Sequence, residues 1–173
     1  MSELRKLNWG CGLIVAEGWD NADVEDFGQE YVGSTELFAD NTFDIIACHC
    51  ALQITEFHDI EKVLIELHRI LKPRGVLRIS LPDIVTGFQA YYEGVINWFP
   101  NGEENIDERF SAWLTWYSTT RTLLTQTALH RKLLAVEFED LAAAPYRTSI
   151  LGPDEIASLD TRQHECYFTE ARK

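Results

Sequence analysis

A chain of 173 residues with 46% apolar residues fits one domain with a sizeable core, and its net charge of −13 argues against partners bound through a phosphate backbone, which need clustered Lys and Arg. No run approaches the roughly 20 apolar residues of a membrane span, and no charged-then-apolar leader suggests export. The four cysteines, Cys11, Cys48, Cys50 and Cys166, have no zinc-finger spacing, and Cys48-x-Cys50 is too close for most disulfides. Reduced thiols in a cytoplasmic protein are expected, with no metal, no nucleic acid and no membrane among its partners.

The chain opens almost at once on a short apolar run, Lys6 to Trp9, that leads into Gly10-Cys11-Gly12. Glycine accepts backbone angles closed to other residues and leaves no side chain in a ligand's way. A strand ending in Gly-x-Gly presents bare amides at the carboxyl edge of a sheet, where nucleotide-like ligands bind in open α/β folds. Trp19 to Asp23 reads as a second strand whose final carboxylate can accept both hydroxyls of a ribose. The spacing does not suit a dinucleotide site: Val15 stands where a third small residue belongs, and the acid comes too early. Only Leu13 to Gly18 remain for a crossover, against the dozen or more residues that parallel strands normally use. Either the first helix is cut to a turn or the second strand lies elsewhere.

Further along, a short strand is expected at Tyr31-Val32, then a turn at Phe38 to Thr42 and a buried strand over Phe43 to Cys48. Ile60, Val63, Leu64, Leu67, Ile70 and Leu71 repeat at helical spacing, with Thr55 and Asp59 as candidate caps and Pro73 as the stop. Arg74-Gly75 turns into a strand over Val76 to Leu81, ended by Pro82-Asp83. Strand, helix and strand at this spacing form a βαβ unit with parallel pairing and a right-handed crossover.

These blocks carry a resemblance. Leu7 to Gly12, Asn21-Ala22-Asp23, Phe38 to Asp44, Glu66 to Gly75 and Leu81-Pro82-Asp83 stand in the order and spacing of class I S-adenosylmethionine-dependent methyltransferases. The chain is similar to the small bacterial and phage-type members of the UbiE and type 11 group. The close match covers residues 7 to 83, and the tail from Leu159 to Arg162 and from Cys166 to Lys173 also resembles the family's final strand region. Its most specific block ends in Leu71-Lys72-Pro73-Arg74-Gly75. The resemblance implies a doubly wound, mostly parallel Rossmann-like α/β sheet with an antiparallel last strand, and S-adenosylmethionine as cofactor. It places Asn8, Gly10, Cys11 and Gly12 under the methionine part, Asp23 on the ribose, Phe38 beside the adenine, and Cys48 and His49 with Cys50 at the sulfonium. Three departures stand out: Asn8 replaces the usual acid, Tyr31 or Val32 falls where an acid often adjoins adenine, and Leu52-Gln53-Ile54 replaces Leu-Glu-His.

Residues 84 to 145 are not explained by the family, and residues 84 to 135 are expected to form a helical lid or cap insert within a single domain spanning 1–173. Phe110, Trp113, Leu114 and Tyr117 share one helical face, with Asp107 as the starting residue. Many relatives carry a leading helix before the first strand; its absence here, with the short crossover, should uncover apolar surface. The insert should cover it, and a surplus face should pair with a second copy. His130-Arg131 resembles a pair that precedes the last helix in relatives, placing that helix over Glu137 to Ala143. His49, His130 and Asp83 are the candidate bases for methyl transfer, which needs one only when the acceptor must lose a proton. The expected activity is methyl transfer to a small-molecule or sugar-like acceptor. The alternatives are a cofactor-binding regulatory protein without catalysis, or another enzyme on the same fold, such as an aminopropyltransferase or a nucleotide-dependent reductase.

Overall fold

The computed structural model describes residues 3–22, 38–100, 102, 104–115 and 119–173. Six strands form one sheet in the order β2-β1-β3-β4-β6-β5: β1 (Lys6–Trp9), β2 (Asp20–Ala22), β3 (Phe43–His49), β4 (Leu71–Pro82), β5 (Glu139–Ala143) and β6 (Cys166–Arg172). β2, β1, β3 and β4 run parallel, and β6 pairs antiparallel with both β4 and β5. The expected doubly wound sheet with an antiparallel last strand is therefore the observed one. The carboxyl ends of the four parallel strands form a single edge.

Successive side chains of a strand point to opposite faces, and the two faces here differ in kind. Leu7, Trp9, Ile46, Cys48, Leu77 and Ile79 are buried on the first face. Helices α1 (Ile60–Ile70) and α4 (Gln126–Ala135) cover it with Ile60, Val63, Leu64, Leu67, Ile70, Leu129 and Leu133. The helical repeat of α1 reads out as expected. Asp59 stands at its N-cap position but makes no cap bond, its carboxylate being held by Lys62 at 2.8 Å. The helix runs into β4 without a loop, and Pro73 falls within that strand.

On the second face only a small apolar group, Ile45, Val76 and Ile156 with Trp19 and Leu151, is buried beside polar residues. Arg78 is fully buried. It holds Asp160 at 2.8 and 2.5 Å and Glu170 at 2.7 Å, and donates to the carbonyls of Pro145 (2.8 Å) and Thr148 (3.2 Å). Glu170 also accepts from the amides of Ile150 and Leu151, and Asp160 from that of Arg147. This ionic lattice pins residues 145 to 160 across the sheet.

Between β1 and β2 there is no helix, only turns. The strand pairing is in place at Asp20–Ala22, so the first of the two alternatives holds and the crossover helix is cut to a turn. Asp23 and Tyr31-Val32 lie outside the described residues, as do Trp116 and Tyr117.

The insert after β4 is helical, with α2 (Ile84–Tyr92) and α3 (Ile106–Thr115) ahead of α4. Its aromatics meet one another: Ala90, Phe99 and Trp113 are buried together, with Tyr91, Trp98 and Phe110 around them. A Cβ on Gly87 would stand 2.3 Å from the Trp113 ring, so glycine lets α2 and α3 close. Asn105, not Asp107, caps α3, accepting from Glu108 N at 2.9 Å. Residues 139–143, expected as helix, form the edge strand β5 instead. Their acidic, Ala-rich composition favours a helix, but pairing with β6 overrides that preference. The helix at this point of the chain is α4, and His130 lies inside it.

Candidate active site at the carboxyl edge of the sheet

The glycine pair sits where β1 ends. Gly10 and Gly12 both take positive φ (68° and 50°), angles that cost other residues about 1–2 kcal/mol. The amides of Gly10 and Cys11 donate to Ala22 O at 2.7 and 3.2 Å, which fixes the turn to the end of β2. Asn8 is nearly fully buried. Its Nδ2 donates to Ile14 O (2.7 Å) and Asn21 Oδ1 (3.0 Å). Asn21 in turn bonds both the amide and the carbonyl of Ala16 and the carbonyl of Trp19. Two side-chain amides thus do the work of the missing helix, and the role needs a donor that the family's usual acid lacks. Asn8 is accordingly a support beneath the loop.

Cys48 and His49 end β3 but point away from the edge. Cys48 is buried in the main core, and burial pushes its thiol well above the usual range; only its backbone is available to a ligand. The His49 ring enters the second face, where Nδ1 shares a hydrogen bond with Ser80 Oγ (2.9 Å) and Nε2 lies 3.7 Å from Asp160. Nε2 is buried without a hydrogen-bond partner. Burial lowers the His49 pKa to about 4, outweighing the Asp160 carboxylate, while Arg78 adds to the lowering. His49 is therefore neutral at pH 7. Cys50 follows in a left-handed conformation (φ 52°), with its sulfur 3.7 Å from that of Cys166.

Phe38 is misplaced by the sequence reading. Its ring packs edge-on against Phe43, centroids 4.9 Å apart, at the start of β3. A seven-residue strand spans about 20 Å, so Phe38 lies at the amino edge, opposite the glycine pair, and is no flank for an adenine there. Asp83 stands at the carboxyl edge, where it caps α2 through Thr86 N and Thr86 Oγ1 (3.2 and 2.7 Å). His130 bonds Thr169 Oγ1 at 3.1 Å on the helix-covered face, well back along β6. Its pKa is lowered by burial. His68 packs edge-on against the Phe138 ring. The three candidate bases do not converge.

A cleft of about 500 Å³ opens beside the end of β4, between Val95, Trp98, Phe99 and Pro100 of the insert and Arg162 to Glu165 of the loop before β6. The amide of Asp83 donates to Glu165 O at 2.8 Å, which ties the two walls together at their base. Glu165 Oε2 is buried without a hydrogen bond and faces Arg162 at 3.5 Å. Burial raises its pKa, against the pull of the Arg162 charge. No local pattern marks this carboxylate, which sits in an irregular loop and joins Trp98 and Phe99 in one cleft only through the fold. Opposite, the amides of Arg121 and Thr122 donate to Gln53 O, and Thr122 Oγ1 to Thr55 O, so the insert is anchored to the loop after β3.

Residues 16–79 match the family model described as a methyltransferase domain. This segment of the chain is similar to a methyltransferase domain. Among solved structures, an S-adenosylmethionine-dependent methyltransferase from Archaeoglobus fulgidus is similar over 98% of this chain and 86% of that one, at 14% identity and TM-score 0.62. A possible histamine N-methyltransferase from Thermotoga maritima is similar over 100% and 84%, at 15% identity and TM-score 0.54. The YcgJ protein of Bacillus subtilis follows over 99% and 92%, at 16% and 0.52. These likenesses speak for the fold. Comparison with curated proteins finds no match. A Cβ at Gly12 would meet nothing within 4 Å, so the bare backbone of the glycine loop faces open space in which a cofactor would fit.

Proposed function

We propose that this methyltransferase moves a methyl group from S-adenosylmethionine to a small-molecule or sugar-like acceptor held in the cleft between the insert and the loop before β6. The observation that carries this reading is that cleft, which has one aromatic wall and one polar wall and lies at the edge that bears the glycine loop. β4 is two strands from β1, a separation of about 10 Å, which suits two ligands meeting end to end. S-adenosylmethionine supplies a methyl group activated by a positive sulfur. The protein's task is to position the partners and exclude water. Gly10 to Gly12 offer backbone to the methionine part, with Asp23 assigned to the ribose by the resemblance. Trp98 and Phe99 supply an apolar wall. Glu165, its pKa raised by burial, is the carboxylate placed to take a proton from an acceptor hydroxyl or amine. In this reading the insert acts as a cap that orders when the cofactor binds.

One observation favours a second reading. Asp83, His130 and His49 are each occupied with structural partners, as in a cofactor-binding protein without catalysis. Incubation with methyl-labelled S-adenosylmethionine and a panel of sugars, phenols and small amines separates the two. Transfer to at least one acceptor, falling about tenfold or more in Glu165→Gln and Trp98→Ala with cofactor affinity unchanged, is the expected result. Tight cofactor binding with no transfer to any acceptor supports the second reading.

A further inference from the structure

We propose that Cys50 and Cys166 form a reversible disulfide, making the carboxyl edge of the sheet a site of oxidative modification. The sulfurs are 3.7 Å apart, and a disulfide bond is about 2.05 Å long, so closure needs roughly 1.7 Å shared between two side chains. Cys50 lies in the loop just past β3, in a left-handed conformation that non-glycine residues seldom adopt. Cys166 is the first residue of β6 and pairs with Pro82, the last of β4. The two chain ends are held at one spot from outside the pair: Cys50 N donates to Ser80 O at 3.0 Å, and Cys166 N to Arg162 O at 3.1 Å.

The chemistry favours this pair over the other thiols. A hydrogen bond shared with Cys166 draws the Cys50 thiol below its usual range, with Ser80 and Arg162 assisting, while Cys166 keeps its proton. The thiolate is the reactive form. Cys48 is sealed in the core, and Cys11 lies on the β1 loop, its sulfur directed at Gly12 O. With hydrogen peroxide as oxidant, the Cys50 sulfur forms a bond to oxygen as the O–O bond breaks, and one water leaves. The Cys166 sulfur then displaces that oxygen: the S–S bond forms, the S–O bond breaks, and the Cys166 proton leaves in a second water. Two electrons pass from the two sulfurs to the peroxide.

Closure has a direction. β4 and β6 lie beyond β3 from β1, so the bond draws Cys50 toward β6 and away from the glycine loop. The oxidised protein therefore binds S-adenosylmethionine more weakly, by about threefold or more in Kd. That consequence rests on the cofactor reading, whereas the disulfide does not.

The test is peroxide treatment of the whole protein, followed by alkylation under denaturing conditions, intact mass and peptide mapping. Two alkylated thiols, Cys11 and Cys48, with a Cys50–Cys166 crosslink reversed by dithiothreitol, are expected. Cys50→Ser and Cys166→Ser each abolish the crosslink, and Cys11→Ser leaves it intact. Four alkylated thiols, a crosslink through Cys11, or over-oxidation of Cys50 without pairing would overturn the proposal. An unchanged cofactor affinity in the crosslinked protein would overturn its coupling to the site.

Discussion

The two faces of the sheet solve one problem by different means. On the first, α1 and α4 lay apolar stripes over apolar strands, and burial is non-directional: each methylene contributes on the order of 0.8 kcal/mol. On the second, the β1–β2 crossover that would bring a helix is a turn, and the described cover is largely irregular chain with one six-residue 3-10 helix at Asp154–Leu159. Irregular chain carries backbone groups that must be satisfied one by one. Arg78, Asp160 and Glu170 satisfy five such groups, on Pro145, Arg147, Thr148, Ile150 and Leu151, through directional bonds, and bond each other. The lesson is that an ion lattice can replace a helix where the covering segment has no periodic face to offer. It should be brittle where the helical face is forgiving.

That contrast can be broken most sharply at Arg78. Arg78→Met leaves two carboxylates buried without their counter-charge, and stability should fall by about 3–5 kcal/mol, read as a lower urea midpoint or loss of folded protein. On the helical face, Leu64→Ala removes a fully buried side chain and should cost about 2–5 kcal/mol. A tolerant Arg78 beside a sensitive Leu64 would reverse the comparison. Acid provides a graded version. His49 has a folded pKa of about 4 against an ordinary 6.5, so the unfolded chain binds more protons between these values. Its contribution is therefore complete above pH 6.5 and is lost as pH falls toward 4, by up to about 3 kcal/mol. Urea melts from pH 4.5 to 7 should show this slope, and His49→Gln should flatten it. The smallest expected effect is at Asn8. Asn8→Asp loses the donor to Ile14 O and Asn21 Oδ1 and should cost about 1–3 kcal/mol in thermal denaturation, loosening the β1–β2 turn more than the sheet.

Regular elements were legible in the sequence. The apolar repeat from Ile60 to Ile70 and the βαβ unit around it are local patterns, and they fold as read except at the junction, where Pro73, Arg74 and Gly75 lie inside β4. The glycine turn is legible for the same reason, because its positive φ angles select the residue. The alternation of Arg78 and Ser80 among Val76, Leu77, Ile79 and Leu81 already marks one polar face, although it does not say which acids meet it. Asp160 and Glu170 are distant in sequence and converge only through antiparallel pairing of β6 with β4. The strand at 139–143 was misread because an edge strand is chosen by its neighbour rather than by its own residues. Phe38 was misassigned because a family-like block fixes position along the chain and not the end of the sheet at which a loop emerges. Glu165 escaped notice because an acid in an irregular loop has no local signature.

The central claim is that the bare glycine loop, held by Asn8 and Asn21 rather than by a helix, receives S-adenosylmethionine. Gly12 lies in an exposed loop with open space around it, so Gly12→Val should leave the fold intact while adding bulk and φ strain at the binding surface. Calorimetric titration of S-adenosylmethionine into the wild type and Gly12→Val is the direct measurement. Binding by the wild type and an affinity lower by about tenfold or more in the variant are expected; equal affinity in the two proteins would place the cofactor elsewhere.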